Sequence, residues 1–263
     1  MSLSIHPAVQ ADAPYVVLSS GLGGHASFWH PQIEALQQHF HVVAYDQEGC
    51  HSDSELLPTP YSVDHMARQI LDLLISHNIR EFHFMGHALG GHIGMQLAIY
   101  QAEKKFRLLS LTMLNAWGEL DSHTQKCFQA RTSLLLNSGA EAYVRAQALF
   151  LYPPHWISTH IDPLTEAENK QLLDFPPTQN VLARLQAVQA FKLEKAHQQA
   201  LKDVPVHLIA NQDDFLVPYQ CSQQLQQLLP HSQLSLFATG AHASTVTENA
   251  QINQSMLQFL KSA

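Results

Sequence analysis

Short apolar runs rich in β-branched residues alternate along this chain with longer segments whose apolar residues recur every three or four positions. That alternation predicts a mostly parallel sheet covered by helices on both faces. Tyr15-Val16-Val17-Leu18-Ser19, His41-Val42-Val43-Ala44-Tyr45, Phe82-His83-Phe84-Met85, residues 109–114, Val206-His207-Leu208-Ile209-Ala210 and residues 233–237 read as strands. Most are apolar at successive positions, as strands buried on both faces must be. Helices are predicted near residues 28–39, after Ser62, over residues 89–100 and 219–229, and at the end of the chain near Phe259 and Leu260. In the second of these Ser62 suits the N-cap and Asp64 complements the positive helix end, while Met66, Ile70, Leu73 and Leu74 share one face.

Between Gly118 and Lys202 the strand pattern disappears and only helical periodicity remains, broken by Pro153-Pro154 and Pro176-Pro177. This segment, residues 118–202, is expected to be a helical lid inserted after the sixth strand. Residues 1–117 and 203–263 then form one α/β core, since 263 residues suffice for a single full core.

The turn that follows the third long strand carries the most informative motif. Gly86-His87-Ala88-Leu89-Gly90 has the form of a G-x-S-x-G nucleophile elbow with alanine in the serine position. The geometry of acyl-transfer chemistry is implied without its attacking oxygen, so Ala88 marks a vacant nucleophile position. In that fold the order along the chain is nucleophile, acid, histidine. Asp214 lies after one late strand and His242 after the last, which makes them the candidate couple, with Asp213 the lesser candidate. A turn acid at Asp214 and a solvent-exposed loop histidine at His242 are the bland alternatives. Ser20-Gly21-Leu22-Gly23-Gly24 has the form of an oxyanion loop, and the backbone N–H groups of Leu22 and Leu89 are the expected donors to developing negative charge. Asn115 is read as a polar pocket wall, and Phe28, Trp29 and Trp117 as core or lid contacts.

Composition narrows the function classes. A formal net charge of −8 without a basic cluster disfavours nucleic acid. No apolar run approaches the roughly 18 residues of a membrane span, and the opening residues lack a secretory pattern, so a cytoplasmic, membrane-free protein is expected. Three cysteines, Cys50, Cys127 and Cys221, are too few and too scattered for a disulfide framework and suggest buried free thiols. Most of the 18 histidines are expected at the surface. His25, His83, His87, His92 and Cys50 form neither H-E-x-x-H nor C-x-x-C, so no metal and no cofactor is expected. The partner is a small-molecule substrate, and a homodimer is allowed.

With these residues in view the chain resembles the RutD family of α/β-hydrolases, which serve pyrimidine utilisation. The resemblance runs essentially end to end and rests on Ser20-Gly21-Leu22-Gly23-Gly24, Tyr45-Asp46-Gln47, the alanine elbow, Gly94-Met95-Gln96-Leu97-Ala98, Leu149-Phe150-Leu151-Tyr152-Pro153 and Gly240-Ala241-His242. Glu48 departs from it, standing where the family pattern has arginine. The resemblance implies an α/β-hydrolase fold and hydrolysis of a small unstable C–N intermediate of uracil breakdown, carbamate or 3-aminoacrylate, by water that His242 activates. Two other readings stay open: a small-acid-binding homologue without turnover, and a serine esterase or amidase whose nucleophile has been replaced by Ala88.

Overall fold

Val16 and Leu18 face one side of the second strand and Val17 the other, all fully buried. That two-sided burial sets the architecture of the whole chain. The computed structural model describes residues 3–103 and 105–263. Seven strands form one sheet: β1 (Leu3–His6), β2 (Tyr15–Ser19), β3 (His41–Tyr45), β4 (Glu81–His87), β5 (Arg107–Leu114), β6 (Val206–Asn211) and β7 (Gln233–Phe237). Their order is β1-β3-β2-β4-β5-β6-β7, with β1 antiparallel to β3 and every other pair parallel.

One face carries the core of Val16, Leu18, Met85, Leu114 and Ile209 under α1 (His30–Gln37) and the C-terminal helix. The other face packs under α2 (Val63–Ser76) and α3 (Leu89–Ile99). Between β5 and β6 lie five helices: α4 (Ser122–Leu151), α5 (Pro154–Thr159), α6 (Ile161–Leu173), α7 (Thr178–Ala190) and α8 (Lys195–Leu201). After β6 come α9 (Tyr219–Leu228), α10 (Ser244–Thr247) and α11 (Asn249–Leu260), the C-terminal helix.

Several expectations are corrected. The helical insertion follows the fifth strand, not the sixth, because the chain before Tyr15 contributes only β1; Pro7 and Pro14 flank the intervening turn and cannot donate to a ladder. The helix expected over 28–39 begins as a 3-10 turn, Ala26–Trp29, and becomes α-helical at His30 with Pro31 in its first turn. Glu48, flagged for its charge, has an exposed side chain, and its contribution is its backbone carbonyl, bound by Arg184. Most of the histidines do lie at or near the surface, as expected, but six of the 18 do not: His83, His87, His92, His197, His207 and His242 are buried. Each has a polar partner inside, such as Ser110 Oγ for His83 at 2.8 Å and the Trp117 carbonyl for His92 at 3.1 Å. A buried imidazole is tolerated when its N–H is satisfied. The three cysteines are buried and unpaired.

Where the elbow meets the sheet, only glycine fits. A Cβ on Gly90 would lie 2.1 Å from the Ser19 carbonyl oxygen, a backbone atom that cannot rotate away. Gly90→Ala is therefore expected to lose more than the roughly 3 kcal/mol of ordinary overpacking. A urea midpoint equal to that of the unaltered chain would show that β2 and α3 can part without cost.

Candidate active site

The strand β4 runs straight into α3 through one residue, Ala88, whose φ of 46° and ψ of −108° are sparsely populated for a residue with a Cβ. Such a conformation costs about 1–3 kcal/mol and persists only when its surroundings hold it. Here the Ala88 N–H donates to the Leu114 carbonyl at 2.8 Å, and the Ala88 carbonyl accepts from Gly91 N–H at 2.9 Å. The methyl group is held at the floor of a cavity of about 630 Å³, which Leu22, Leu89 and His242 also line.

His242 stands between β7 and α10 in a turn with two unusual residues, Gly240 at φ 124° and Ala241 at φ 52°. Asp213 fixes that turn, its carboxylate accepting from the N–H groups of Gly240 and Ala241 at 3.1 and 2.8 Å. Asp213 thus supports the histidine loop and does not touch the imidazole's nitrogens. Asp214 does: its Oδ2 accepts from His242 Nδ1–H at 2.8 Å and from Asn115 Nδ2–H at 2.7 Å. Its Oδ1 accepts from the N–H groups of Leu216 and Val217 at 2.8 and 2.9 Å. Four donors fix the carboxylate, and binding through Nδ1–H leaves Nε2 of His242 as the basic nitrogen. The pair is deeply buried, with side-chain exposures of 3% for His242 and 0% for Asp214.

The roles of two further groups were not foreseen. Asn115 is no pocket wall; buried at the end of β5 with φ 52°, it orients Asp214. His87, the second residue of the elbow motif, donates from Nε2 to the His242 backbone carbonyl at 2.8 Å, tying the elbow to the histidine loop. Burial, with His242 nearby, pushes the His87 pKa down to about 3. A neutral ring is thereby kept beside the catalytic candidate.

The loop Ser20-Gly21-Leu22-Gly23-Gly24, the candidate oxyanion loop, is held from the insertion. Arg184 of α7, buried, donates from Nη2 to the Leu22 carbonyl at 3.0 Å, from Nη1 to the Glu48 carbonyl at 3.1 Å, and to the side-chain oxygen of Gln47. Gln47 in turn donates to the Ser20 carbonyl at 2.7 Å. Only Gln47 left a trace in the sequence, inside Tyr45-Asp46-Gln47. Arg184 follows from tertiary structure alone.

The cavity walls include Phe28, Trp117 and Phe128, so the first two border the pocket, whereas Trp29 is pure core. One wall is charged. Arg131 of α4 is buried and lines the cavity, donating to Tyr143 Oη at 3.1 Å and Gln147 Oε1 at 3.3 Å, both neutral. Its Nε–H has no protein partner. Beside the cavity, His25, Asp46, Cys50 and His51 bring one nitrogen, oxygen or sulfur each into a common cluster. The expectation of no metal considered only two of these four, because sequence spacing does not reveal that the loops after β2 and β3 meet.

An elbow at the end of a central strand, an acid after β6 and a histidine after β7 define the α/β-hydrolase class. The alpha/beta hydrolase fold family matches residues 14–248. Among solved structures the chain is similar to an enol-lactonase from Burkholderia xenovorans LB400, with TM-score 0.86, 22% identity, and coverage of 99% of this chain and 96% of that one. It is also similar to a thermophilic esterase from Thermogutta terrifontis, with TM-score 0.81, 16% identity, and coverage of 99% and 93%. These likenesses concern the fold. A relative named "Putative carbamate hydrolase RutD" from Acinetobacter baylyi is 55% identical over 252 residues, 96% of this chain and 95% of the relative. A relative of the same name from Stutzerimonas stutzeri is 44% identical over 260 residues, covering 99% and 96%. The chain belongs to the RutD family of α/β-hydrolases.

Proposed function

We propose that this chain hydrolyses a small labile C–N compound of pyrimidine breakdown, carbamate first and 3-aminoacrylate second, with His242 priming a water molecule. The observation that carries this reading is the buried His242–Asp214 pair, whose histidine lines the same cavity as the methyl group at the elbow. With no hydroxyl at the elbow position itself, the base is read as acting on solvent. In the proposed step His242 Nε2 takes a proton from water as the oxygen bonds to the carbamate carbon, and negative charge gathers near the Leu22 and Leu89 N–H groups. The C–N bond then breaks, the histidine returns its proton to the nitrogen, and ammonia and bicarbonate leave.

The magnitudes suit a fragile substrate. General-base assistance supplies about 10²–10⁴-fold, and donor pairs with binding alone leave roughly 10³–10⁴-fold over water in disarmed triads. Each tenfold is worth about 1.4 kcal/mol. Such factors fall far short of what a stable amide needs and are ample for a compound that already decays. Arg131 strengthens the choice of an anion: a buried guanidinium with neutral partners and an unpartnered Nε–H can pair with a carboxylate. Residues 118–202 act in this reading as a lid over the core.

Progress curves of ammonia release from freshly generated carbamate and from freshly generated aminoacrylate, with and without the chain, test the proposal. Acceleration of carbamate decay is the expected result, while acceleration of aminoacrylate alone would reassign the substrate. Retention of either compound without any change in its decay would overturn hydrolysis in favour of binding.

A further inference from the structure

Four side chains with metal-binding atoms meet beside the cavity, which His25 of the four also lines, outside the catalytic pair. His25 follows Gly24 at the end of the oxyanion loop, and Asp46, Cys50 and His51 lie on the segment that leaves β3. One nitrogen, oxygen or sulfur from each lies within 4.8 Å of all the others. A tetrahedral ion with bonds of about 2.0–2.3 Å requires its ligand atoms about 3.3–3.8 Å apart. Closing the shell requires the atoms to draw together by about an ångström at most, and His51 Nε2 already lies 3.3 Å from Asp46 Oδ2.

The surroundings are those of a metal shell. Asp174, at the end of α6, accepts from His51 Nδ1–H through Oδ2 at 2.7 Å, which turns Nε2 toward the cluster. The other oxygen of Asp174 accepts from the Ser52 N–H and hydroxyl, both at 2.9 Å. A carboxylate on the far nitrogen of a histidine is the arrangement that orients metal-binding imidazoles. Asp46 is fixed likewise, its Oδ1 accepting from the Ala26 N–H at 2.8 Å. Cys50 is buried while His25, Asp46 and His51 are partly exposed, so the cluster has a dry base and an open approach.

We propose that His25, Asp46, Cys50 and His51 bind one divalent ion of the zinc class in a tetrahedral site, with Asp174 as its outer carboxylate. Two nitrogens, one thiolate sulfur and one carboxylate oxygen suit a borderline-soft cation better than magnesium or calcium. Binding exchanges the Cys50 thiol proton, released to solvent, for a sulfur–metal bond. The ion joins the oxyanion loop, the segment after β3 and the end of α6 beside the cavity. The proposal is independent of the hydrolytic reading.

Titration of the untagged, chelator-treated full chain with cobalt(II) tests it. The expected spectrum has intense visible bands of tetrahedral cobalt and a near-ultraviolet sulfur-to-cobalt charge-transfer band, both abolished by stoichiometric zinc. Cys50→Ser is expected to remove the charge-transfer band, His25→Ala to weaken binding more than about tenfold and Asp174→Asn by about 10–100-fold, the usual range for a lost outer partner. Melting curves establish that each variant folds; where Cys50→Ser does not, His25→Ala decides. A pale six-coordinate spectrum from the unaltered chain overturns the proposal. So does a charge-transfer band that survives in Cys50→Ser, or cobalt affinity unchanged in His25→Ala.

Discussion

Replacing His242 with alanine is expected to lower the turnover of the labile substrate by about 10²–10⁴-fold, the range of lost general-base assistance. The fall should appear in kcat with little change in KM, because in the proposed mechanism the imidazole acts on the water and not on the bound substrate's affinity. Residual acceleration is expected from the Leu22 and Leu89 N–H groups. The variant should remain folded: the His242 carbonyl that accepts from His87 belongs to the backbone, and Asp214 keeps Asn115, Leu216 and Val217 as donors. The lost partner costs about 1–3 kcal/mol of stability, which thermal unfolding would read. Turnover equal to that of the unaltered chain, with the fold intact, would remove His242 from the mechanism.

Acid is expected to destabilise the fold steeply below neutrality. Burial pushes the pKa of both His87 and His92 down to about 3. Both rings are neutral in the folded chain and protonate near pH 6.5 once unfolded. The unfolded state therefore binds more protons between about pH 6.5 and 3, and stability falls as pH falls through that window. At pH 5 each ring accounts for about 2 kcal/mol, at about 1.4 kcal/mol per pH unit, against a typical total of 5–15 kcal/mol. His83 and His207, lowered by burial to about 4, act in the same direction. Urea midpoints measured from about pH 7.5 to 5 should drop accordingly, and His92→Gln, whose amide can still donate to the Trp117 carbonyl, should flatten the curve. A midpoint indifferent to pH across that range would mean that these rings meet protons equally well in both states.

The central strands were legible because a strand buried on both faces must be apolar at nearly every position, and the runs at Tyr15–Ser19 and His41–Tyr45 carry the same limits in sequence and structure. Gln233–Phe237, an edge strand only partly buried, was legible instead from the alternation of Leu234 and Leu236 with Gln233 and Ser235. β1 was not legible: it is a four-residue edge strand with Ile5 exposed, and its pattern is too short to stand out. Residues 122–151 read as separate helical pieces, and the chain is in fact interrupted there at Gly139, whose φ of 86° and ψ of −178° are not helical. The elbow could be read because its strain is local, fixed by five consecutive residues. The Asp214–His242 contact was inferred from chain order. Asn115 was noticed but its role misread, and Arg131 and Arg184 left no trace, since a buried amide or guanidinium is recognised by partners distant in the chain. The same holds for His25 and His51, whose rings meet 4.9 Å apart only because two loops cross beside the cavity.

Ala88 also decides which reagents can mark this protein. Fluorophosphonates and activated esters label α/β-hydrolases by capturing an oxygen at the elbow, and here a methyl group offers them no bond to form. A covalent tag aimed at that position finds no oxygen to capture in this chain, and an inhibitor of its cavity cannot bind by acylating the elbow.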